Sequence, residues 1–387
     1  TLAGWVGQAS VLLDPIVSRI REVGLTASKI HTDDTPVPML DPGRGKTATG
    51  RLWAYAVDDR GSGATTPSLV WYEFTTDRTG AHPQRQLASF SGYLQADGYA
   101  GYDKLYDTNR VTEVACWAHF RRKIFDIHAT KPTPLTTDLL ERIGQLYEIE
   151  AEVRGQQPKI RRRTRQDRTQ PLIDELRQTL DDALRRLSPK SEMAKAIAYG
   201  RKRWGALTRF LDDGRLEIDN NIAERAMRCV ALGRKNWLFA GSKAGGDRAA
   251  AIYSVIETAK LNGLEPQAYI ADVIAKIAGD WPAARWNELL PCWGGRLPTA
   301  SQCARVSALQ DSIKGAARGA NYPHRHGYVK ERFSTAWRRC SGEASAAQEV
   351  DAPRDDSVFR KAATHPRRYR GMRQFTSLGS SSRIARA

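Results

Sequence analysis

The sequence predicts an α/β protein whose core is a mixed β-sheet with a long helical insertion. Three observations carry this prediction. Three strand-like segments follow residue 28, and after them come helix, strand, helix, strand and helix in that order. From about residue 131 to 200 the pattern is helical alone, and a further helix follows at 218–230. This order is that of a ribonuclease-H-like sheet, in which the first three strands pair antiparallel and later strands join through right-handed crossovers.

The first three strands are predicted from β-branched and aromatic residues. Segment 29–33 is short and ends in acidic residues. Segment 51–57 (RLWAYAV) alternates with aromatic residues, and 68–75 (SLVWYEFT) is rich in both residue classes. Gly-Ser-Gly at 61–63 marks the turn between the last two strands.

Two more strands are predicted further along the chain. Segment 92–96 (GYLQA) leads directly into Asp97-Gly98, a common turn dipeptide, and segment 111–117 runs into a basic helix. The helices around these strands are predicted at 82–90, 101–106 and 118–127.

The helical insertion is indicated by leucines that recur at helical spacing on one face, at positions 172, 176, 180, 184 and 187. After the helix at 218–230, two closing helices are predicted near 248–261 and 266–277. The predicted division is a helical lead-in (1–28), a ribonuclease-H-like domain in two parts (29–130 and 213–291), the insertion (131–212) and a basic tail (292–387).

Composition indicates a globular protein with a polyanionic partner. The 387 residues are 41% hydrophobic and 27% charged, with a net charge of +17. Residues 294–387 hold 18 Lys/Arg against 7 Asp/Glu, and their low periodicity predicts a mostly disordered tail. The sequence has no apolar run of transmembrane length and no signal-peptide pattern at its start, so a cytoplasmic, nucleoid-associated location is expected and a membrane partner is not.

The five cysteines are odd in number and widely scattered, which argues against a disulfide framework. Cys116 and His119 have the C-x-x-H spacing of half a zinc site. No second Cys/His pair stands at a matching spacing, so a buried thiol is the favoured interpretation.

Three carboxylates stand where a ribonuclease-H-like sheet would bring them together. Cleavage of a phosphodiester is well served by two divalent ions about 3.5–4 Å apart, held by oxygen ligands. Asp33 is predicted to close the first strand and Asp97 follows the fourth, and these strands are neighbours in such a sheet. Glu224 lies on the helix after the insertion, sharing a stripe with Asn221 and Arg228 opposite a predicted core face.

Each carboxylate also has an ordinary interpretation. Asp33 could be a solvated residue of a strand-ending turn, and Asp97-Gly98 a plain turn. Asn221 as N-cap with Glu224 three residues later resembles a capping box. Taken together, at these places in this strand order, the three favour a metal site over three coincidental turns and caps.

Several segments resemble transposases of insertion-sequence family sixty-six. The likeness runs almost continuously from Trp5 to about Pro291 and is carried by HTDDTPVP (31–38), LQADGYAGY (94–102), CWAH (116–119), EIDNNIAER (217–225) and GRKNWLFAG (233–241). The resemblance implies a DDE triad of Asp33, Asp97 and Glu224, with Mg²⁺ as the ion and Mn²⁺ as a possible substitute. Asp34 stands where the family more often has Glu.

Basic side chains near these motifs are candidates for phosphate contacts, which fix DNA without reading its sequence. They are Arg121, Arg122, Lys123, Arg228, Arg234 and Lys235. Solvent exposure alone is the alternative for each. The run 154–168, with seven Lys/Arg and one Asp, is favoured as a solvated loop, with phosphate contact as its alternative.

The predicted function is DNA transposition by metal-assisted cleavage and strand transfer on double-stranded DNA. A nuclease of the same fold that cuts without joining, and a non-catalytic DNA-binding remnant, are the alternatives. A homo-oligomer on DNA and accessory proteins of the element are further partners that this interpretation allows. The chain starts at Thr1, near the edge of the family's catalytic domain, so a fragment of a longer protein is expected.

Overall fold

The computed structural model describes residues 2–43 and 45–291. Its strands are β1 Lys29–Met39, β2 Ala48–Val57, β3 Leu69–Thr75, β4 Gly92–Gln95 and β5 Val111–Val114. They form a sheet in the order β3-β2-β1-β4-β5. β2 pairs antiparallel with both β1 and β3, and β4 pairs parallel with both β1 and β5. The predicted mixed sheet, with its ribonuclease-H-like strand order, is confirmed.

β1 is longer than predicted, because it continues from Asp33 to Met39. Its parallel pairing with β4 ends at Gln95, whereas its antiparallel pairing with β2 runs on to Met39. The carbonyl oxygens of Pro36 and Pro38 accept hydrogen bonds from residues outside β2. Since N and O of a strand residue point to the same side, the N–H groups that these prolines lack would face away from β2. The prediction that Asp33 closes its strand is therefore wrong.

The predicted helices are present, with shifted ends. In chain order they are α1 Leu2–Leu25, α2 Ala81–Gln86, α3 Asp103–Tyr106, α4 Trp117–Thr130, α5 Pro134–Val153, α6 Pro158–Thr164, α7 Gln170–Arg186, α8 Glu192–Lys202, α9 Trp204–Thr208, α10 Asn221–Trp237, α11 Lys243–Leu261 and α12 Pro266–Ala278. The insertion, α5 to α9, stands between β5 with its following helix α4 and the α10 helix that carries Glu224.

The two faces of the sheet bury different helices, because side chains alternate along each strand. Trp53, Tyr55 and Trp71 face one side, where they pack with α1 and α12. Ala54 and Tyr72 face the other side, against α10 and α11. A separate core lies between α4 and the insertion helices, around Trp117, Phe120 and Leu176. Burial on both faces is what a sheet containing parallel strands requires.

The outer edge of β3 is covered by α11 through hydroxyl groups. The Val70 N–H donates to Thr258 Oγ1 at 3.1 Å, and the same hydroxyl donates to the Val70 carbonyl at 2.9 Å. The Tyr72 N–H donates to Ser254 Oγ at 2.8 Å. An edge strand with free N–H and C=O groups can pair with another chain, so these contacts protect the sheet.

The basic run 154–168 is not a solvated loop throughout. Arg161 and Arg165 lie on α6 and the π-helical turn Arg165–Thr169, and their side chains are 1% and 0% exposed. Arg165 Nε and Nη2 each donate to the Glu150 carboxylate at 2.7 Å, and Arg161 donates to Glu217 at 3.0 and 3.1 Å. These four side chains join the insertion to the segment before α10, so the loop prediction is wrong for both arginines.

The predicted tail, 292–387, lies outside the described residues. Within the part of the chain that the structure describes, no helix is long and apolar enough to cross a membrane.

Candidate active site

Asp33 lies on β1, and Asp97 lies two residues after the end of β4, the parallel neighbour of β1. β1 and β4 pair in the register His31↔Gln95, and the two aspartates stand two positions beyond those residues. Adjacent strands are about 4.8 Å apart. The two carboxylates therefore belong to the same corner of the sheet, as the sequence predicted.

Glu224 is brought to this corner by α10, which begins at Asn221 and not at the predicted residue 218. The buried face of α10 is formed by Ala223, Met227 and Val230. The stripe that was predicted to face the core is only half-buried at its first two positions, 222 and 226. Glu224 lies beside this face, with its side chain 30% exposed.

The capping-box interpretation of Glu224 is wrong. The N-cap residue is Asn220, which makes no side-chain capping hydrogen bond. Glu224 Oε1 is shielded from solvent and, within the described residues, has no hydrogen-bond partner. This carboxylate oxygen therefore makes no capping hydrogen bond to the helix and remains available to another partner.

Asn220 fixes the start of α10 against β1 and is fully buried. Its Nδ2 donates to the Thr32 carbonyl at 2.8 Å, and its Oδ1 lies 3.1 Å from Nδ1 of His31. Burial lowers the pKa of His31 well below its ordinary value, so the ring is neutral and can donate to this oxygen. The Asn220 N–H also donates to Cys116 Sγ at 3.2 Å. A single side chain and its backbone thus join β1, α10 and the start of α4.

Gln95, the last residue of β4, holds the segment just before α10. Its Nε2 donates to the carbonyls of Glu217 and Asp219, at 2.6 and 3.0 Å. The Trp117 N–H donates to the Ile218 carbonyl at 3.1 Å. Because β1, β4 and α4 each bind this segment, the position of Glu224 relative to the two aspartates is set by buried polar contacts. Sequence reasoning assigned no role to Asn220 or Gln95, although both lie in the segments that carry the family resemblance.

The corner is electrostatically unfavourable without a cation. Burial raises the pKa of Asp33 to about 7, and the negative charges of Asp97, Asp34 and Glu224 act in the same direction. A hydrogen bond from the Asp34 N–H, at 2.8 Å, opposes this rise. Carboxylate oxygens in such a place are the donors that hard divalent cations prefer, and an added positive charge would offset both burial and repulsion.

Asp34 has a different environment from Asp33. It is nearly buried and accepts hydrogen bonds from Arg51 at 3.1 Å and from Arg78 at 2.8 Å. Arg78 Nη2 also lies 3.6 Å from Asp97 Oδ2, and the guanidinium stacks over Tyr99. Asp34 is therefore a structural anion for two arginines, which leaves Asp33 as the residue with free carboxylate capacity. Arg78 could not be singled out from the sequence because it stands in an undistinguished loop.

Cys116, His119 and Glu224 form a tight group. Their potential ligand atoms all lie within 4.8 Å of one another, and among residues 2–43 and 45–291 no other group of three such side chains does so. His119 Nδ1 lies 3.9 Å from Glu224 Oε1. The predicted buried thiol is confirmed, since Cys116 is 3% exposed and burial raises its pKa to about 12. The C-x-x-H spacing is visible in the sequence, but the third member comes from a helix that lies beyond the whole insertion.

The predicted DNA-contacting cations lie on two helices. Arg122 and Lys123 are exposed on α4, and their charges lower the pKa of His119, which burial already depresses. Arg121 is half-buried. On α10, Arg228 and Lys235 are exposed, and half-buried Arg234 donates to the Pro36 carbonyl. Among the cations predicted to contact DNA, Arg122 and Lys123 are therefore the two whose charges act on His119, which lies beside Glu224.

Comparisons with known proteins agree on the family. Residues 1–248 match the model for the Transposase IS66 family, and residues 254–292 match the IS66 C-terminal element. Two relatives are from Sinorhizobium fredii (strain NBRC 101917 / NGR234): the uncharacterized protein y4hP, 40% identical over 307 residues, and the uncharacterized protein y4qI, 39% identical over 301 residues. Each alignment covers 75% of this chain and 55% of the relative, so the chain spans about half the length of these proteins. No solved structure matches.

Proposed function

The chain belongs to the IS66 family of transposases, and on that premise we propose that it carries the catalytic centre of a metal-dependent DNA transposase. The proposed reaction is cleavage of a phosphodiester at an element end, followed by transfer of the freed 3′-hydroxyl to target DNA. Double-stranded DNA is the proposed substrate.

The observation that supports this proposal is the electrostatic coupling of three acidic side chains from three separate elements, since the charges of Asp97 and Glu224 both raise the pKa of Asp33. The three carboxylates do not form as tight a group as Cys116, His119 and Glu224. Asp33 follows the β4-paired part of β1, Asp97 follows β4, and Glu224 is delivered by α10. The raised pKa of Asp33 and the unpartnered Glu224 Oε1 both indicate that these oxygens are not neutralised by the protein's own cations. This donor set fits Mg²⁺, for which Mn²⁺ can substitute.

Asp33, Asp97 and Glu224 would hold the metal. When bound, it would supply activation of the attacking oxygen and stabilisation of the leaving oxygen. The chain's own residues do the positioning. Asn220 and Gln95 fix α10 against the sheet, and Arg78 binds Asp34, the neighbour of Asp33. Arg122 and Lys123 would place the DNA backbone next to the carboxylates.

The central test is a set of variants that keep side-chain shape while removing charge. We expect Asp33→Asn, Asp97→Asn and Glu224→Gln each to reduce Mg²⁺-dependent cleavage of a duplex carrying an element end to background, because each removes a metal ligand. Asp103→Asn, an exposed aspartate on α3, is the matched control and should cleave like the unmodified protein. Full activity in any of the three variants would contradict the triad.

The same assay separates the related functions. Cleavage without joining of the 3′-end to target DNA would indicate a nuclease. Binding without cleavage under Mg²⁺ or Mn²⁺, with all three carboxylates intact, would indicate a non-catalytic DNA-binding protein.

The proposed phosphate contacts can be tested by the dependence of DNA affinity on salt concentration. Replacing both Arg122 and Lys123 by Gln should weaken binding to all duplex sequences alike, because phosphate contacts carry no sequence information. The slope of log affinity against log salt should become shallower by about 0.9 for each phosphate that is no longer neutralised. Arg186→Gln with Lys190→Gln, both exposed at the end of α7, makes the same change in net charge and should leave the slope nearly unchanged. Equal effects of the two pairs would mean that total charge alone governs binding.

A further inference from the structure

Three side chains of different chemistry meet beside the proposed carboxylate site. Cys116 lies just before α4, His119 lies on its first turn, and Glu224 lies on the first turn of α10. Their ligand atoms, a sulfur, a nitrogen and an oxygen, are all within 4.8 Å of one another. His119 Nδ1 and Glu224 Oε1 are both shielded from solvent and lack hydrogen-bond partners within the described residues.

The separations are close to those around a tetrahedral cation. Zinc bonds of ~2.0–2.3 Å at tetrahedral angles place ligand atoms roughly 3.3–3.8 Å apart. His119 Nδ1 and Glu224 Oε1 are 3.9 Å apart, and the remaining pairs need to close by about 1 Å at most. Side-chain rotation alone can supply such a movement, since His119 and Glu224 are only partly enclosed.

The surroundings also suit a bound thiolate. The Asn220 N–H donates to Cys116 Sγ, and hydrogen bonds of this kind orient and stabilise a metal-bound sulfur. Thiolate and imidazole ligands select Zn²⁺ or Co²⁺, whereas Mg²⁺ takes oxygen ligands. We propose that Cys116, His119 and Glu224 form a site for Zn²⁺, with the fourth position open to water. The thiol proton is released to solvent when the metal binds.

Glu224 belongs to both proposed sites, so a metal ion bound at one of them affects the other. A carboxylate bound to Zn²⁺ beside His119 is withdrawn from Asp33 and Asp97. Occupancy by Zn²⁺ should therefore oppose Mg²⁺-dependent cleavage, a consequence that rests on the proposed function. The binding of Zn²⁺ itself does not rest on it.

The first experiment measures binding alone, with Co²⁺ as a spectroscopic substitute for Zn²⁺. Titration of the full chain should produce a thiolate-to-cobalt charge-transfer absorption, and added Zn²⁺ should remove it. Cys116→Ser should abolish this absorption, whereas Cys229→Ser, which changes the other cysteine among the described residues, should retain it. Absence of the absorption in the unmodified chain, or its persistence in Cys116→Ser, would overturn the proposal.

Two further variants keep the result interpretable if Cys116→Ser folds poorly. His119→Asn and Glu224→Gln alter half-buried positions, and each should weaken Co²⁺ binding at least about tenfold. Asp97→Asn, which leaves all three proposed zinc ligands in place, should keep the absorption. Unchanged affinity in both ligand variants would contradict the three-residue site.

The second experiment adds Zn²⁺ to the Mg²⁺-supported cleavage reaction. Inhibition, expressed relative to each protein's own rate without Zn²⁺, should need at least about tenfold more Zn²⁺ in Cys116→Ser. Equal sensitivity of the two proteins would refute competition for Glu224. If no preparation cleaves DNA, the proposed function fails, but the cobalt absorption still decides whether the metal site exists.

Discussion

Two groups of acidic residues in this molecule differ in how their negative charge is balanced. Where the insertion meets the segment before α10, Glu150 and Glu217 are paired with Arg165 and Arg161, with hydrogen bonds of 2.7–3.1 Å. At the sheet corner the acids are Asp33, Asp97 and Glu224, and the Arg78 guanidinium lies closer to Asp34 (2.8 Å) than to Asp97 (3.6 Å). One group is neutral within itself, while the other retains excess negative charge.

This difference in charge balance indicates a structural role for the first group and a chemical role for the second. A buried ion pair with matched charges and forked geometry fixes how the insertion meets the core. A cluster of acids without internal cations is a cost to folding, and it persists only where something else benefits from it. An external cation is the simplest such benefit, and this contrast predicts opposite responses to mutation.

The largest effect is expected where the matched network is broken. Arg165→Met should destabilise the protein by about 3–5 kcal/mol, because it leaves the Glu150 carboxylate buried and removes hydrogen bonds to the Phe210 and Leu216 carbonyls. Urea unfolding monitored by circular dichroism measures the change. Arg168→Met, in the same turn, breaks an exposed pair with Glu152 and should destabilise the protein far less, because solvent screens that pair. Similar costs for the two would show that burial does not set the strength of this network.

In the acidic group at the sheet corner, removal of a charge should instead stabilise the folded protein. The folded-state pKa of Asp33, about 7, lies above its ordinary value of 3.8, so the folded protein binds more protons between these values. In EDTA, the contribution of Asp33 to stability should therefore fall as pH rises from about 4 to 7. Asp33→Asn should be more stable than the unmodified protein at pH 8, by about 2–4 kcal/mol, and equal to it near pH 4.

The matched comparison is again Asp103→Asn, whose exposed carboxylate should give no such difference across pH. Saturating Mg²⁺ should narrow the gap between Asp33→Asn and the unmodified protein, since a cation that binds the folded state stabilises it. A variant less stable than the unmodified protein at pH 8 in EDTA would show that Asp33 is already neutralised.

A smaller effect is expected from replacing Asn220, whose side chain links the start of α10 to β1. Asn220→Ala should cost about 1–3 kcal/mol, because it leaves His31 Nδ1 and the Thr32 carbonyl buried without partners. It should also lower cleavage by on the order of 10²-fold through displacement of Glu224. Asn221→Ala removes a half-buried hydrogen bond to Asp219 and should cost under about 1 kcal/mol. Equal reductions in activity for both variants would mean that Asn220 has no special positioning role.

The strand order of the sheet and the helical insertion could be predicted from residue order. Aromatic and β-branched residues identified the strands in 51–57 and 68–75, which are buried along most of their length on both faces of the sheet. The sequence analysis placed Asp33 and Asp97 at the ends of neighbouring strands, whereas the structure shows that β1 continues past Asp33 to Met39. The basic run 154–168 could not be interpreted this way, because its buried arginines look identical in sequence to exposed ones.

Tertiary structure alone decided which charges are neutralised and by what. Arg165 is paired because Glu150, fifteen residues earlier, packs against it from α5. Cys116 and His119 gain Glu224 as a neighbour because α10 returns to the sheet after the whole insertion. Residue order records local periodicity, whereas electrostatic compensation depends on distances between residues far apart in the chain. The same acidic residue can therefore be a structural ion or a metal ligand, and only the folded neighbourhood separates the two.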